Sequence, residues 1–133
     1  MPALVVDTHA LVWYVEASPL LSPAALTALR GAAAQGDPVH VSSVSLVEIA
    51  YLIEKGRLPP PLFDRIAQML RQGNTALREA SFNLEMADAL RRVPRNVVPD
   101  MPDRMIAATA LALGLHLVTR DARLQNAGVA TVW

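Results

Sequence analysis

Short apolar runs alternate along this chain with longer stretches whose apolar residues recur every three to four positions. The first run, Ala3 to Val6, lies between Pro2 and Asp7 and reads as a buried strand. Thr8 to Glu16 then carries Leu11, Val12, Trp13 and Val15 at helical spacing. Ser22-Pro23 supplies a cap and a first-turn proline for a helix AALTALRGAAAQ that stops near Gly36. Asp37-Pro38 makes a turn, and Val39 to Ser42 reads as a second strand. Ser43 or Ser45 is placed to cap a third helix, SLVEIAYLIEKG, with Gly56 as its terminator. Pro59, Pro60 and Pro61 break the chain before a fourth helix, LFDRIAQMLRQG. Thr75 to Ala80 reads as a third strand, and Ser81 as the cap of a fifth helix, FNLEMADALRRV. PRNVVPDMPDR, with three prolines in eleven residues, is a loop. Pro102 falls in the first turn of a sixth helix, DRMIAATALALG, ended by Gly114. Leu115 to Thr119 is a fourth strand, 121–126 a short helical turn, and Val129 to Trp133 a last strand. Strands alternating with helices predict an α/β fold, a sandwich with a central, mainly parallel sheet flanked by helices. No repeat or linker divides the chain, so 1–133 is read as a single domain.

Composition narrows the chemistry. The 133 residues are 53% hydrophobic but only 5% aromatic, so the core is aliphatic. With no cysteine, disulfides and thiolate metal sites are excluded, and a metal would be held by oxygen or imidazole. No signal peptide is apparent, and no apolar run approaches the ~20 residues of a membrane span. A soluble, cytoplasmic protein is expected. Twelve basic and twelve acidic residues give zero net charge, which is not the bulk basicity of a protein that grips nucleic acid by charge alone. Eleven of the twelve bases are arginine, the better residue for bidentate phosphate contacts. Arg91, Arg92, Arg95 and Arg104 fall close together, either as solvated helix faces or as a basic rim beside an acidic site.

The acids carry the chemistry. Asp7 follows the first predicted strand and Asp121 the fourth, so both stand at the carboxyl edge of a parallel sheet, where ligands bind. Asp103 starts the helix after the proline loop, and Glu48 lies about one turn into the helix after the second strand. Four carboxylates in one cleft resist ionising together unless cations join them. Hard oxygen donors select Mg²⁺ or Mn²⁺ over Zn²⁺, and one or two such ions would activate water at a phosphodiester. Each acid also has a plainer reading. Asp7 is a good helix cap, Asp103 a first-turn acid, Glu48 a capping-box partner of Ser45, and Asp121 a turn residue. The functional reading rests on all four arriving at one edge.

Other groups say less. His9, His40 and His116 share no metal-ligand spacing, and neither a Gly-rich phosphate loop nor a GxSxG elbow is present. Trp13 and Tyr14 are able to stack on a base, although Trp13 at helical spacing more often belongs to a core. Leu46, Ile49, Leu52 and Ile53 avoid the face of Glu48 and are expected to pack on the sheet or on a second subunit.

Four segments resemble the PIN-domain family, in particular the VapC-type toxins of bacterial toxin–antitoxin pairs. They are VVDTHALVWYVE (5–16), VSSVSLVEIAYLIEKGRL (41–58), PDMPDRMIAATALALGLHLVTRD (99–121) and AGVATVW (127–133), nearly half the chain in family order. The resemblance implies a PIN-like three-layer sandwich and Mg²⁺- or Mn²⁺-dependent endoribonuclease activity. It also implies a homodimer and a cognate antitoxin that blocks the site. Asp7, Glu48, Asp103 and Asp121 match the family's four acids, catalytic and metal-binding. Thr8 and Thr119 match supporting polar positions. With RNA as substrate, Arg91, Arg92, Arg95, Arg104 and Arg120 become candidates for phosphate contacts. The family's usual Asp-Pro-Phe-Asp before the third acid is Asp100-Met101-Pro102-Asp103 here, a loop variation that leaves Asp103 in place.

The alternative within the fold is a non-catalytic RNA- or protein-binding module. A phosphoryl-accepting receiver domain is disfavoured because the one lysine, Lys55, lies in the third helix rather than at a strand end. An Asp-x-Asp phosphatase is disfavoured because His9 stands where the second Asp belongs.

Overall fold

The computed structural model describes residues 3–133; Met1 and Pro2, the start of the expected domain, lie outside the described residues. The elements run β1 (Leu4–Val6), α1 (Thr8–Val15), α2 (Pro23–Gln35), β2 (Val39–Ser42), α3 (Ser43–Glu54) and α4 (Pro61–Gln72). They continue with β3 (Leu77–Ala80), α5 (Leu84–Leu90), α6 (Met101–Leu113), β4 (His116–Val118), α7 (Ala122–Gln125) and β5 (Thr131–Val132). The five strands form one sheet in the order β3-β2-β1-β4-β5, and each pairing is parallel.

The apolar strand runs now have a reason: the sheet is covered on both faces. Leu4 and Val6 point into a core with Leu11, Leu29, Ile49, Leu62 and Ile66. Val5 between them points the other way, into a second core with Leu117, Ile106, Ala107 and Leu124. Helices α1 to α4 cover the first face, and α5, α6 and α7 the second, so the expected three layers are present.

Register sets up the site. Val6 pairs with Val41 on one side and Val118 on the other, and the Asp7 amide donates to the Val118 carbonyl at 3.1 Å. Asp7 therefore stands level with Ser42 and Thr119 at the carboxyl edge of three neighbouring strands.

Several helix starts differ from expectation. Helix α3 is capped by Ser42, whose Oγ accepts from the Val44 amide at 3.1 Å, because β2 runs into the helix without a loop. Neither Ser43 nor Ser45 is the cap. Helix α5 is shorter than predicted and is capped by Asn83 rather than Ser81. The Phe82 amide donates to Ser43 Oγ at 3.1 Å, which holds the chain out of the helix there. Helix α6 starts at Met101, with Asp100 as its cap and Pro102 in the first turn. It ends at Gly114, whose φ of +67° closes the last turn.

Candidate active site

Asp7 does two jobs. It caps α1, with Oδ1 accepting from the Ala10 amide at 2.8 Å, so the plain reading of this acid is also correct. Its other oxygen, Oδ2, accepts from the Thr119 hydroxyl at 2.5 Å. The same Thr119 Oγ accepts from the Asp121 amide at 3.0 Å, so one fully buried hydroxyl ties two of the acids together. Asp7 is only 7% exposed, and burial pushes its carboxyl above the usual range, partly offset by the Thr119 and Ala10 hydrogen bonds.

Glu48 is fixed from α1. Thr8 Oγ lies 2.6 Å from Glu48 Oε1 and 3.0 Å from the buried Ser45 Oγ. One hydroxyl has one proton, which goes to the carboxylate; the Ser45 hydroxyl then donates to Thr8. Ser45 is thus buried inside α3 as a support for Thr8 and makes no capping box with Glu48. Burial raises the Glu48 carboxyl as well, against the lowering effect of Thr8.

Asp103 stands in the first turn of α6, with its amide bonded to Asp100 Oδ2 at 3.2 Å. Burial raises its carboxyl most, and Asp100, Asp121, Glu48 and Asp7 add repulsion, carrying it from 3.8 to about 7. Asp121 caps α7, with Oδ1 accepting from the Arg123 and Leu124 amides at 2.8 and 3.3 Å.

All four predicted acids line one cleft of about 690 Å³, together with Asp100. The sequence presents Asp100 as part of a variant loop, yet its place three residues before Asp103 is that of an N-cap, and as the cap of α6 it joins the cleft. His9, Trp13, Arg120 and Arg123 line the same cleft. His9 and Trp13, four apart on α1, share a helix face, a spacing that was visible in the sequence.

The predicted arginines separate. Arg120 is in the cleft; Arg91, Arg92, Arg95 and Arg104 are not among its lining. Arg91 is exposed and pairs with Asp88 at 2.9 Å; Arg92 and Arg95 are exposed on the turns after α5. Arg104 turns to the protein, where its Nη2 donates to the Leu90 and Val93 carbonyls at 3.1 and 3.0 Å. It closes the frayed end of α5 onto α6 rather than facing a ligand. His40 and His116 are also outside the cleft lining.

The donor set is carboxylate and hydroxyl oxygen, which suits a hard divalent cation. Among the described residues no three His, Asp or Glu side chains converge closely enough to hold an ion by themselves. An ion here would take one or two protein carboxylates and complete its shell with water and substrate, a common mode for Mg²⁺. Burial first, and then repulsion from the neighbouring acids, lifts Asp103 toward neutrality, and a cation at the cleft would offset both.

The PIN domain family profile matches residues 4–130. Ribonuclease VapC22 of Mycobacterium tuberculosis (strain ATCC 25618 / H37Rv) is 30% identical over 126 residues, which cover 95% of this chain and 92% of that protein. Among solved structures, VapBC2 from Rickettsia felis, bound to a DNA fragment from their promoter, aligns with a TM-score of 0.71 at 16% identity. That alignment covers 97% of this chain and 96% of the other. DNA-bound VapBC from Salmonella typhimurium aligns with a TM-score of 0.68 at 18% identity, over 98% of this chain and 97% of the other.

Proposed function

The chain belongs to the PIN-domain family, and from that premise we propose that it is a metal-dependent endoribonuclease, the toxin of a type II toxin–antitoxin pair. The observation that carries the catalytic reading is the convergence of Asp7, Glu48, Asp103 and Asp121 on one cleft, with three of the four raised by burial or mutual repulsion. Mg²⁺ or Mn²⁺, as one or two ions, fits the donor chemistry. When bound, such an ion lowers the pKa of its water and stabilises charge on the phosphate.

This chain's own residues do the rest. Thr119 holds Asp7 and the backbone of Asp121 in one orientation, and Thr8 does the same for Glu48. Burial and the neighbouring acids let Asp103 keep its proton up to about neutral pH, and a divalent cation held at the cleft would favour its carboxylate form. Arg123, in α7 beside Asp121, lines the same cleft and is placed to receive a phosphate next to the cut bond.

The toxin reading is supported by full-length similarity to a ribonuclease of the VapC type and by a fold like that of VapBC complexes. It brings an antitoxin protein as partner, a homodimer as the working state and the cytoplasm as the location. Exposed Val47 and Tyr51 on α3 are side chains that a second copy would cover. No described helix is long and apolar enough to cross a membrane.

The test is cleavage of total cellular RNA with Mg²⁺ or Mn²⁺, beside the Asp7→Asn variant and an EDTA control. Discrete fragments from the wild type with cation alone support the proposal. Cleavage in EDTA, or equal cleavage by Asp7→Asn, refutes it. Intact RNA with every sample favours the non-catalytic binding module.

A further inference from the structure

We propose that Trp13, flanked by His9 and roofed by Arg120, is a nucleobase-stacking shelf that seats one base of the RNA beside the carboxylate cleft. The inference rests on the ribonuclease reading and adds to it residues that read a base rather than a phosphate.

Helix α1 begins directly behind Asp7, so its cleft-facing side carries His9 and then Trp13 away from the acids. Their rings lie 5.7 Å apart at 42°. Trp133, the last residue, braces the indole from another side at 5.7 Å and 56°. Trp13 is half-buried and packs against the larger core, which fixes its orientation. The part left over lines the cleft as a rigid apolar surface among charged groups. Above it stands the Arg120 guanidinium, 5.8 Å from the ring centre. Arg120 is exposed on a long stem, so it is free to lift and close on the far side of an inserted ring.

An indole surface serves neither a metal ion nor a phosphate. It fits a flat ring, and unstacked RNA bases are held by stacking on aromatic side chains and arginine planes. Because shelf and acids share one cleft, the base belongs to a nucleotide next to the cut bond. A chain with two tryptophans placed both in this one cluster.

The experiment scans single abasic nucleotides along an RNA that the wild type cleaves. One position next to the cut should raise KM about tenfold and leave kcat within about twofold, as loss of one stacked base does. Trp13→Leu should carry that rise already and lose nothing further at that position. Arg120→Ala, an exposed change, should carry part of it. If the abasic penalty persists in full in Trp13→Leu, or if that variant loses kcat alone, the shelf is wrong. A second readout does not depend on Trp13→Leu folding or on cleavage. In Trp133→Phe protein with Mg²⁺, excited at about 295 nm so that the tyrosines are silent, Trp13 is the only tryptophan emitting, and RNA should quench it while the abasic RNA does not. RNA bound by anisotropy with unchanged Trp13 emission overturns the shelf and leaves the ribonuclease standing. Neither binding nor cleavage removes both.

Discussion

Replacing Asp103 with Asn should make the cation-free protein more stable at alkaline pH while abolishing cleavage. The carboxyl of Asp103 is raised from 3.8 to about 7 by burial first, then by Asp100, Asp121, Glu48 and Asp7. In the unfolded chain the group titrates at its ordinary value. Between those two pH values the folded state holds a proton that the unfolded state has released, so this group's contribution to stability is full below pH 3.8 and is lost as pH rises to about 7. At ~1.4 kcal/mol per pH unit the loss has a ceiling of about 4 kcal/mol. Asp103 is only half-buried, and solvent screening brings the working figure to about 2 kcal/mol. Asn is close to isosteric and uncharged, so it escapes the penalty. In EDTA at pH 8 the Asp103→Asn protein should melt roughly 6 °C above the wild type, and at pH 4 the two should nearly coincide. Saturating Mg²⁺ at pH 8 should then raise the wild type more than the variant, since the ion binds the folded state and is attracted by the Asp103 carboxylate, which only the wild type has. Thermal unfolding by circular dichroism measures all of this. A variant no more stable than wild type in EDTA at pH 8, or a gain equal at pH 4, refutes the electrostatic account of the cleft.

Three other substitutions separate support from ligand contact. Thr119→Val keeps the shape of a fully buried side chain but removes the bonds to Asp7 and the Asp121 amide; the metal concentration for half-maximal cleavage should rise 10–100-fold, as ~10–100-fold losses follow from such outer partners, with the fold retained by circular dichroism. Thr8→Val should release Glu48 and lower kcat about tenfold in cleavage assays at saturating cation. Arg104→Gln should cost about 1–3 kcal/mol in urea unfolding, because the Leu90 and Val93 carbonyls lose their donor, while KM for RNA stays within about twofold.

The order of strands and helices was legible because each apolar run had a breaker at both ends. The strands buried on both faces read as continuous runs, as in Ala3 to Val6, and the helices as 3.6-periodic ones. Asp7 was legible for a topological reason, since the residue after a parallel strand lies at the binding edge, and Asp121, three residues beyond β4, is held at the same edge by Thr119. The misses are tertiary. Ser45 and Thr8 meet across 37 positions, and no local pattern distinguishes such a serine from a cap. Ser43 is drawn away from capping by the Phe82 amide, which also delays α5. Arg104 sits beside Asp103 in sequence, yet a helix turns adjacent residues about 100° apart, and its side chain goes to the α5 end instead of the cleft. Trp13 belongs to the core and the cleft together, a double role that helical spacing alone does not express.

The most direct test of the carboxylate cleft as a water-activating centre is the chemistry of the ends it leaves. A labelled RNA with a single 2′-deoxy nucleotide at the cleavage site should be incubated with Mn²⁺ and wild type or Asp103→Asn, and the fragment termini identified. Attack by water predicts that the wild type cuts the 2′-deoxy bond as well as the all-ribo one, leaves no 2′,3′-cyclic phosphate, and that Asp103→Asn cuts neither. Cyclic phosphate ends, a bond that survives when the 2′-hydroxyl is missing, or cleavage undiminished in Asp103→Asn would contradict the account.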